Sequence, residues 1–288
     1  MANTVIWNKH DYVTSLRERL NANTNWKEIM DVKISDVRTI VNGTLSTEPS
    51  VVVGTRGTAY AYGDFTITAD TCTISTYYNI PIFIDEADRT QQAYFGSPEI
   101  AAFQGKKVNE YLESAMLATH ASWADFGAGD LANTSANDTT AITVSATNID
   151  DIIRAIKRYI NSKNGADLAA EKGLFIVWRP EDMEMLEAFV QANGFTEADY
   201  SLKNGIVAGL RYMGVDHYMS TKHTAGHLFA GVKKVGKTMG ILRGTYGKAK
   251  FIEDPGNVSG LGIVTRIDHG FAFPASGTKD LSLDINVA

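Results

Sequence analysis

Gly231-Val-Lys-Lys-Val-Gly236-Lys237-Thr238 satisfies the pattern G-x-x-x-x-G-K-[ST], in which backbone N–H groups and a lysine cradle a triphosphate. That chemistry needs a helix directly after the lysine, with its N-terminus aimed at the phosphates. The residues that follow, Thr238-Met-Gly240-Ile-Leu-Arg-Gly244-Thr-Tyr-Gly247, have strand-type filling and recurrent glycines, and too little chain remains for further βα units. The spacing predicts instead a β-hairpin, His227 to Val232 and Lys237 to Leu242, turning at Lys-Val-Gly and leaving Lys237 exposed. A nucleotide-dependent enzyme built on residues 231–238 stands as the second alternative reading.

His223-Thr-Ala-Gly-His227 has the four-residue spacing that sets two imidazoles on one helix face as metal ligands. Gly226 argues against the helix, no Glu follows His223, and a third ligand, His217 or Asp216, has to be supposed; a solvated loop is the expected state. His120 and His269 are isolated in sequence and read as polar core or surface residues. Asp85-Glu86 with Asp88, Glu181-Asp182 with Glu184, and Glu253-Asp254 are carboxylate pairs, which do acid/base chemistry only where burial or proximity splits their pKa values. The second set suits a helix N-terminus. No Gly-x-Ser-x-Gly elbow occurs, and Cys72 sits in an alternating strand without an activating neighbour. No catalytic residue, cofactor or metal ligand is therefore assigned, and the expectation is a protein that is not an enzyme.

The composition agrees with a large folded chain of no special class. At 288 residues and 44% hydrophobic it is long enough to bury a substantial core. Its 27 Lys and Arg against 33 Asp and Glu leave a formal charge of −6, which argues against a surface built throughout to attract phosphate backbones. One cysteine excludes an intrachain disulfide framework. The N-terminal residues lack a signal-peptide pattern, and no apolar run approaches a membrane span, so no membrane partner is expected.

These residues must be held by elements whose period changes along the chain. Tyr12, Val13, Leu16 and Leu20 have helical spacing in a short segment ending near Asn21, with Trp7 an apolar outlier ahead of it. Such an arm cannot cover its own apolar face and needs cover from a partner subunit, the first expectation, or from the rest of its own chain, the alternative. From Val51 to Ile84 the period is two, broken by Gly54, Gly57, Gly63 and Asp64, which predicts an extended hairpin with Tyr60, Tyr62 and Phe65 near its tip. Ser97-Pro98-Glu99 is a helix start, and an apolar face then runs on to Phe126. Residues 127–146 have loop composition. Asn148 caps a helix carrying Ile149, Ile152, Ile153, Ile156 and Ile160; Leu174–Trp178 reads as a buried strand, and Pro180 starts another helix. Strands dominate after Ile206. Helices and strands are partly segregated, so the fold class is α+β.

In this order the chain resembles the major capsid protein of tailed phages, the Hong Kong 97 type fold. The resemblance is carried by Ile82-Phe-Ile-Asp-Glu-Ala-Asp-Arg-Thr-Gln-Gln92, Phe175-Ile-Val-Trp-Arg-Pro-Glu-Asp-Met183, Leu202-Lys-Asn-Gly-Ile206, Gly214-Val-Asp-His-Tyr218 and Tyr246-Gly-Lys. It implies an N-terminal arm (1–45), an extended β-hairpin loop (46–80), a peripheral domain with the long spine helix (81–145 and 245–288) and an axial domain (146–244). It implies a structural protein that forms pentamers and hexamers and closes an icosahedral shell around phage DNA without sequence-specific binding. The implied location is the virion capsid, assembled in the host cytoplasm. A bacterial encapsulin-like compartment for protein cargo is the first alternative. The family's long N-terminal scaffolding segment has no counterpart here, which implies a separate scaffolding protein beside the portal and decoration proteins. Trp7, Tyr12, Leu16, Arg56, Tyr60 and Tyr62 are the expected assembly-interface residues.

Overall fold

The structure, a computed structural model, describes residues 9–21, 24–45, 56, 67–85, 97–163, 165–192, 210–253, 259–273 and 278–288. Helices α1 (Lys9–Asn21) and α2 (Asn25–Ile29) lead into strands β1 (Asp31–Ser35), β2 (Thr39–Leu45), β3 (Ile67–Thr73) and β4 (Thr76–Asp85). The long helix α3 (Ser97–Leu117) follows, then β5 (Ala124–Phe126), α4 (Ala128–Ala132), α5 (Ile149–Ser162), α6 (Ala166–Lys172), β6 (Leu174–Trp178) and α7 (Pro180–Ala192). The chain continues through β7 (Leu210–Tyr212), β8 (Val215–Met219), β9 (His227–Val232), β10 (Thr238–Leu242), β11 (Ala249–Glu253), β12 (Gly260–Ala272) and β13 (Ser282–Asn286).

A six-stranded mixed sheet, ordered β5-β13-β9-β6-β8-β7, separates two cores. In β6 the pleat sends Leu174, Ile176 and Trp178 to one side, where the isoleucines of α5 cover them. Phe175 and Val177 point to the other side, toward α1, α2 and α3. Burial on both faces explains why this strand reads as one continuous apolar run. Isoleucine spacing on α5 matches the sequence expectation, with Ile149, Ile152, Ile153, Ile156 and Ile160 all buried. Asn148 stands at its N-cap, yet its side chain accepts from Ser145 N and donates to Thr143 O, fastening the preceding turn.

The second sheet has five strands. Its longest, β12, carries β4 along one edge and both β10 and β11 along the other, and β1 adds in parallel to β10. The third sheet is the two-stranded ribbon β2-β3.

Several expectations are corrected. The long helix stops at Leu117 rather than near Phe126, because residues 124–126 pair in parallel with β13 and extended backbone cannot continue a helix. β9 and β10 do not form a hairpin: β9 pairs with β13 and β6, and β10 pairs with β1 and β12. The sheets also cut across the expected domain boundaries. β5 and β13, from the segments assigned to the peripheral domain, complete the six-stranded sheet, whereas β10, from the axial segment, belongs to the five-stranded one. β4 from Thr76 onward is a sheet strand, and the ribbon begins earlier than residue 46, at Thr39.

Candidate assembly surface

The arm helix lies on its own chain. Tyr12, Leu16 and Leu20 are fully covered, packed against α3 and the five-stranded sheet, with Tyr12 edge-on to Phe251 at 5.3 Å. The Tyr12 hydroxyl donates to Gln104 Oε1, which also accepts from Thr265 Oγ1, so α1, α3 and β12 share one buried polar link. Asn109 Nδ2 donates to Arg19 O at 3.1 Å. Gly105, a weak helix former, is where α1 crosses: a Cβ there would lie 2.9 Å from Arg19 Cβ. Tyr12 and Leu16 are thus corrected from interface residues to core residues, because α3 supplies the apolar cover that the arm sequence lacks. Trp7, Tyr60 and Tyr62 lie outside the described residues. Arg56 is described, exposed in a turn.

The ribbon base is held tightly. Gly240 and Gly270 are register partners on β10 and β12, and Ile40, Cys72, Thr73 and Ile74 pack over them. Cys72 is buried there, and burial pushes its thiol above the ordinary range, so it is an inert packing group. Counted from the base outward, the seven paired residues in each strand span about 20 Å. Val41 on β2 is 63% exposed, Tyr77 and Phe83 on the outer face of β4 are 58% and 46% exposed, and Phe103 on α3 is 55% exposed. These apolar side chains have no full cover within the described chain and are the surface features that sequence periodicity did not single out. The opposite face of β4 packs inward, with Tyr78 stacked on Tyr111 at 3.9 Å.

The phosphate-loop pattern makes no phosphate site. Gly231 lies inside β9, and Lys237 is buried, its Nζ donating to Val232 O, to Val235 O at 3.1 Å and to Ser282 Oγ at 3.2 Å, over the rings of Phe175 and Phe229. Burial without a counter-ion pulls its pKa down to about 7. The exposed Lys237 expected of a hairpin is therefore wrong: its amine closes the joint between the two sheets. The depression beside it, about 150 Å³, mixes Lys33 and Lys234 with Asp31 and Asp70, and strand β10 rather than a helix N-terminus follows Lys237.

The histidines are redistributed. His217 is buried, accepts from Trp178 Nε1 at 2.9 Å through Nδ1 and lies 3.2 Å from Tyr212 O through Nε2. Burial holds it neutral, with its pKa near 4, and His223 is held near 4 for the same reason. His227 does not join His223 in a ligand set. It meets Asp284, Nδ1 to Oδ2 2.9 Å, and stacks on His120 with ring centroids 3.9 Å apart. His120 is consequently not isolated, as expected from sequence, but sits 3.4 Å from the same carboxylate oxygen. No local spacing could reveal this, since the three residues come from the turn after α3, the start of β9 and the middle of β13.

No protein-family model matches the chain, and no curated protein does. Solved structures do match. The capsid of an empty GTA particle aligns with TM-score 0.64 at 13% identity, over 91% of this chain and 89% of that one. The mature capsid of bacteriophage PhiM1 aligns with TM-score 0.59 at 16% identity, over 92% and 87%. The chain has the phage capsid-protein fold. A virus-like particle from Pyrococcus furiosus shares it as well, with TM-score 0.58 at 7% identity, over 96% and 98%. The α+β capsid fold expected from the order of elements is borne out, and identities this low establish fold rather than role. Among the described residues of this capsid fold, no helix is long and apolar enough to cross a membrane.

Proposed function

We propose that the chain is a major capsid protein that self-assembles through pentamers and hexamers into an icosahedral shell enclosing phage DNA. The observation that carries this reading is a capsid fold matched over nine-tenths of the chain, whose ribbon base is fixed while apolar residues on β2, β4 and α3 stay open. Repeated contacts between neighbouring copies would cover such a surface, and shells are held by large shared interfaces. Assembly would take place in the host cytoplasm, with scaffolding, portal and decoration proteins as separate partners and DNA held without sequence-specific contacts. The chain acts structurally in this reading, consistent with the buried Lys237 that occupies the would-be nucleotide loop.

Electron microscopy of the purified full chain, alone and with phage scaffolding protein, tests the proposal. Closed shells or five- and six-fold rings are expected, with DNA inside particles taken from infected cells. A stable 31.4 kDa monomer at micromolar concentration under both conditions overturns it. Particles filled with protein cargo and free of DNA would favour the encapsulin-like compartment.

A further inference from the structure

His120, His227 and Asp284 present three potential metal-donor atoms within 4.8 Å of one another, and no other such trio of His, Cys and carboxylate side chains exists among the described residues. The two Nδ1-to-Oδ2 separations are 2.9 and 3.4 Å. The edge of a tetrahedron around a zinc ion with bonds of about 2.1 Å is about 3.4 Å, so the donors already stand near the spacing an ion imposes. We propose that His120, His227 and Asp284 form a site for a divalent transition-metal ion, of which Zn²⁺ is the best fit.

Three features of the surroundings support the choice. The Asp284 side chain is only 3% exposed, so its carboxylate is removed from water. A buried carboxylate needs positive charge beside it, which a divalent cation supplies. Asp125 on β5 is the register partner of Asp284, on the same sheet face, and adds a second negative charge. Asn286, the register partner of His227, has its Nδ2 buried without a hydrogen-bond partner on that face, where an ion-bound water would offer an acceptor.

Two imidazoles and a carboxylate are borderline donors, suited to Zn²⁺, Co²⁺ or Ni²⁺ rather than to Ca²⁺ or Mg²⁺. His120 and His227 are each about a quarter exposed, which leaves an entry path. Binding requires the stacked rings, 22° apart, to splay so that both lone pairs meet the ion. Because His120 lies just after α3 while His227 and Asp284 lie on β9 and β13, the ion would tie the end of the long helix to the six-stranded sheet. The inference stands on this geometry alone and does not depend on shell assembly.

Isothermal titration of the metal-free full chain with Zn²⁺, and visible spectroscopy with Co²⁺ as the probe, test it. Expected are one ion per chain at micromolar or tighter affinity, a d–d spectrum of tetrahedral type, and a rise in unfolding temperature that a chelator reverses. His120→Gln and His227→Gln should each weaken binding by about tenfold or more, while His223→Gln leaves it unchanged. His120 belongs to no strand ladder, so its variant is the one least tied to folding, and circular dichroism confirms that each variant is folded before it is compared. Absence of saturable Zn²⁺ binding to the folded wild-type chain overturns the proposal, as does unchanged binding in both histidine variants or equal loss in His223→Gln.

Discussion

Gly240 and Gly270 face each other across β10 and β12, and the ribbon base rests on the bare patch they leave. A Cβ on Gly270 would stand 2.1 Å from Thr73 O, a backbone atom that cannot step aside alone. The nearest atoms to a Cβ on Gly240 would be side-chain atoms of Ile40, Cys72 and Ile74, at 3.0 to 3.1 Å. Gly270→Ala should therefore lower subunit stability by about 1–3 kcal/mol, the usual range for forced overpacking, and Gly240→Ala by clearly less. Denaturant unfolding of the dissociated subunit measures both. Equal effects would show that the ribbon base gives way easily.

Lys237 provides a test through pH. Its amine is held near pKa 7 in the folded chain against an ordinary value of 10.5, so between these values the unfolded chain binds more protons than the folded one. Stability contributed by this residue must then rise as pH increases from about 7, and below that the burial penalty of the charged amine is present in full. Lys237→Met, similar in length but uncharged, should flatten the rise between pH 7 and 9. Lys237→Ala should destabilise by about 2–4 kcal/mol, by opening a cavity and leaving Val232 O and Ser282 Oγ short of a donor. Denaturation curves at several pH values decide. A parallel pH response in wild type and Lys237→Met would refute the buried-amine account.

The contrast between what was and was not readable in the sequence lies in this same region. The α5 isoleucines, the apolar run of β6 and the Ser97 helix start declare themselves because each depends on neighbours within one element. Pairing does not. That β9 joins β13 while β10 joins β1 is decided by strands far apart in the chain, and the polar phrase between β9 and β10 reads locally as a turn in water. Lysine at position 237 looks solvated by residue type, yet backbone carbonyls and two aromatic rings accommodate its ammonium inside. The arm presents the complementary case. Tyr12, Leu16 and Leu20 show plainly that cover is needed, and nothing in their spacing says whether α3 or another subunit provides it.

Trp178 and His217 form a coupled pair. The indole N–H occupies His217 Nδ1, so protonating that nitrogen would set two donors against each other in a buried site. With the folded pKa near 4 and the unfolded value near 6.5, this histidine contributes stability that is present above pH 6.5 and is lost as pH falls toward 4. NMR titration should place His217 near 4 in the wild-type chain. In Trp178→Phe the nitrogen loses its donor, and the pKa should rise while the chain stays folded at pH 7. A wild-type value near 6.5 would contradict the packing described.

The ribbon and the arm should respond to mutation in opposite ways. Tyr12 is fully covered and linked through Gln104 to Thr265, so Tyr12→Ala should destabilise the isolated subunit by about 3 kcal/mol or more, whatever its effect on assembly. Deleting residues 55–62 and joining the chain through a short glycine turn spares the anchor at Gly240 and Gly270 and both sheets. The shortened chain should be soluble, with near-native circular dichroism and an unfolding free energy within about 0.5 kcal/mol of wild type, as for changes away from a core. Shell formation should fail or give aberrant particles, because each lost contact is repeated at every position of the lattice and about 1.4 kcal/mol per contact is tenfold in association. Electron microscopy beside denaturation separates the outcomes. Unfolding of the shortened chain would place residues 55–62 in the subunit's own core, and normal shells would mean that they make no contact needed for assembly.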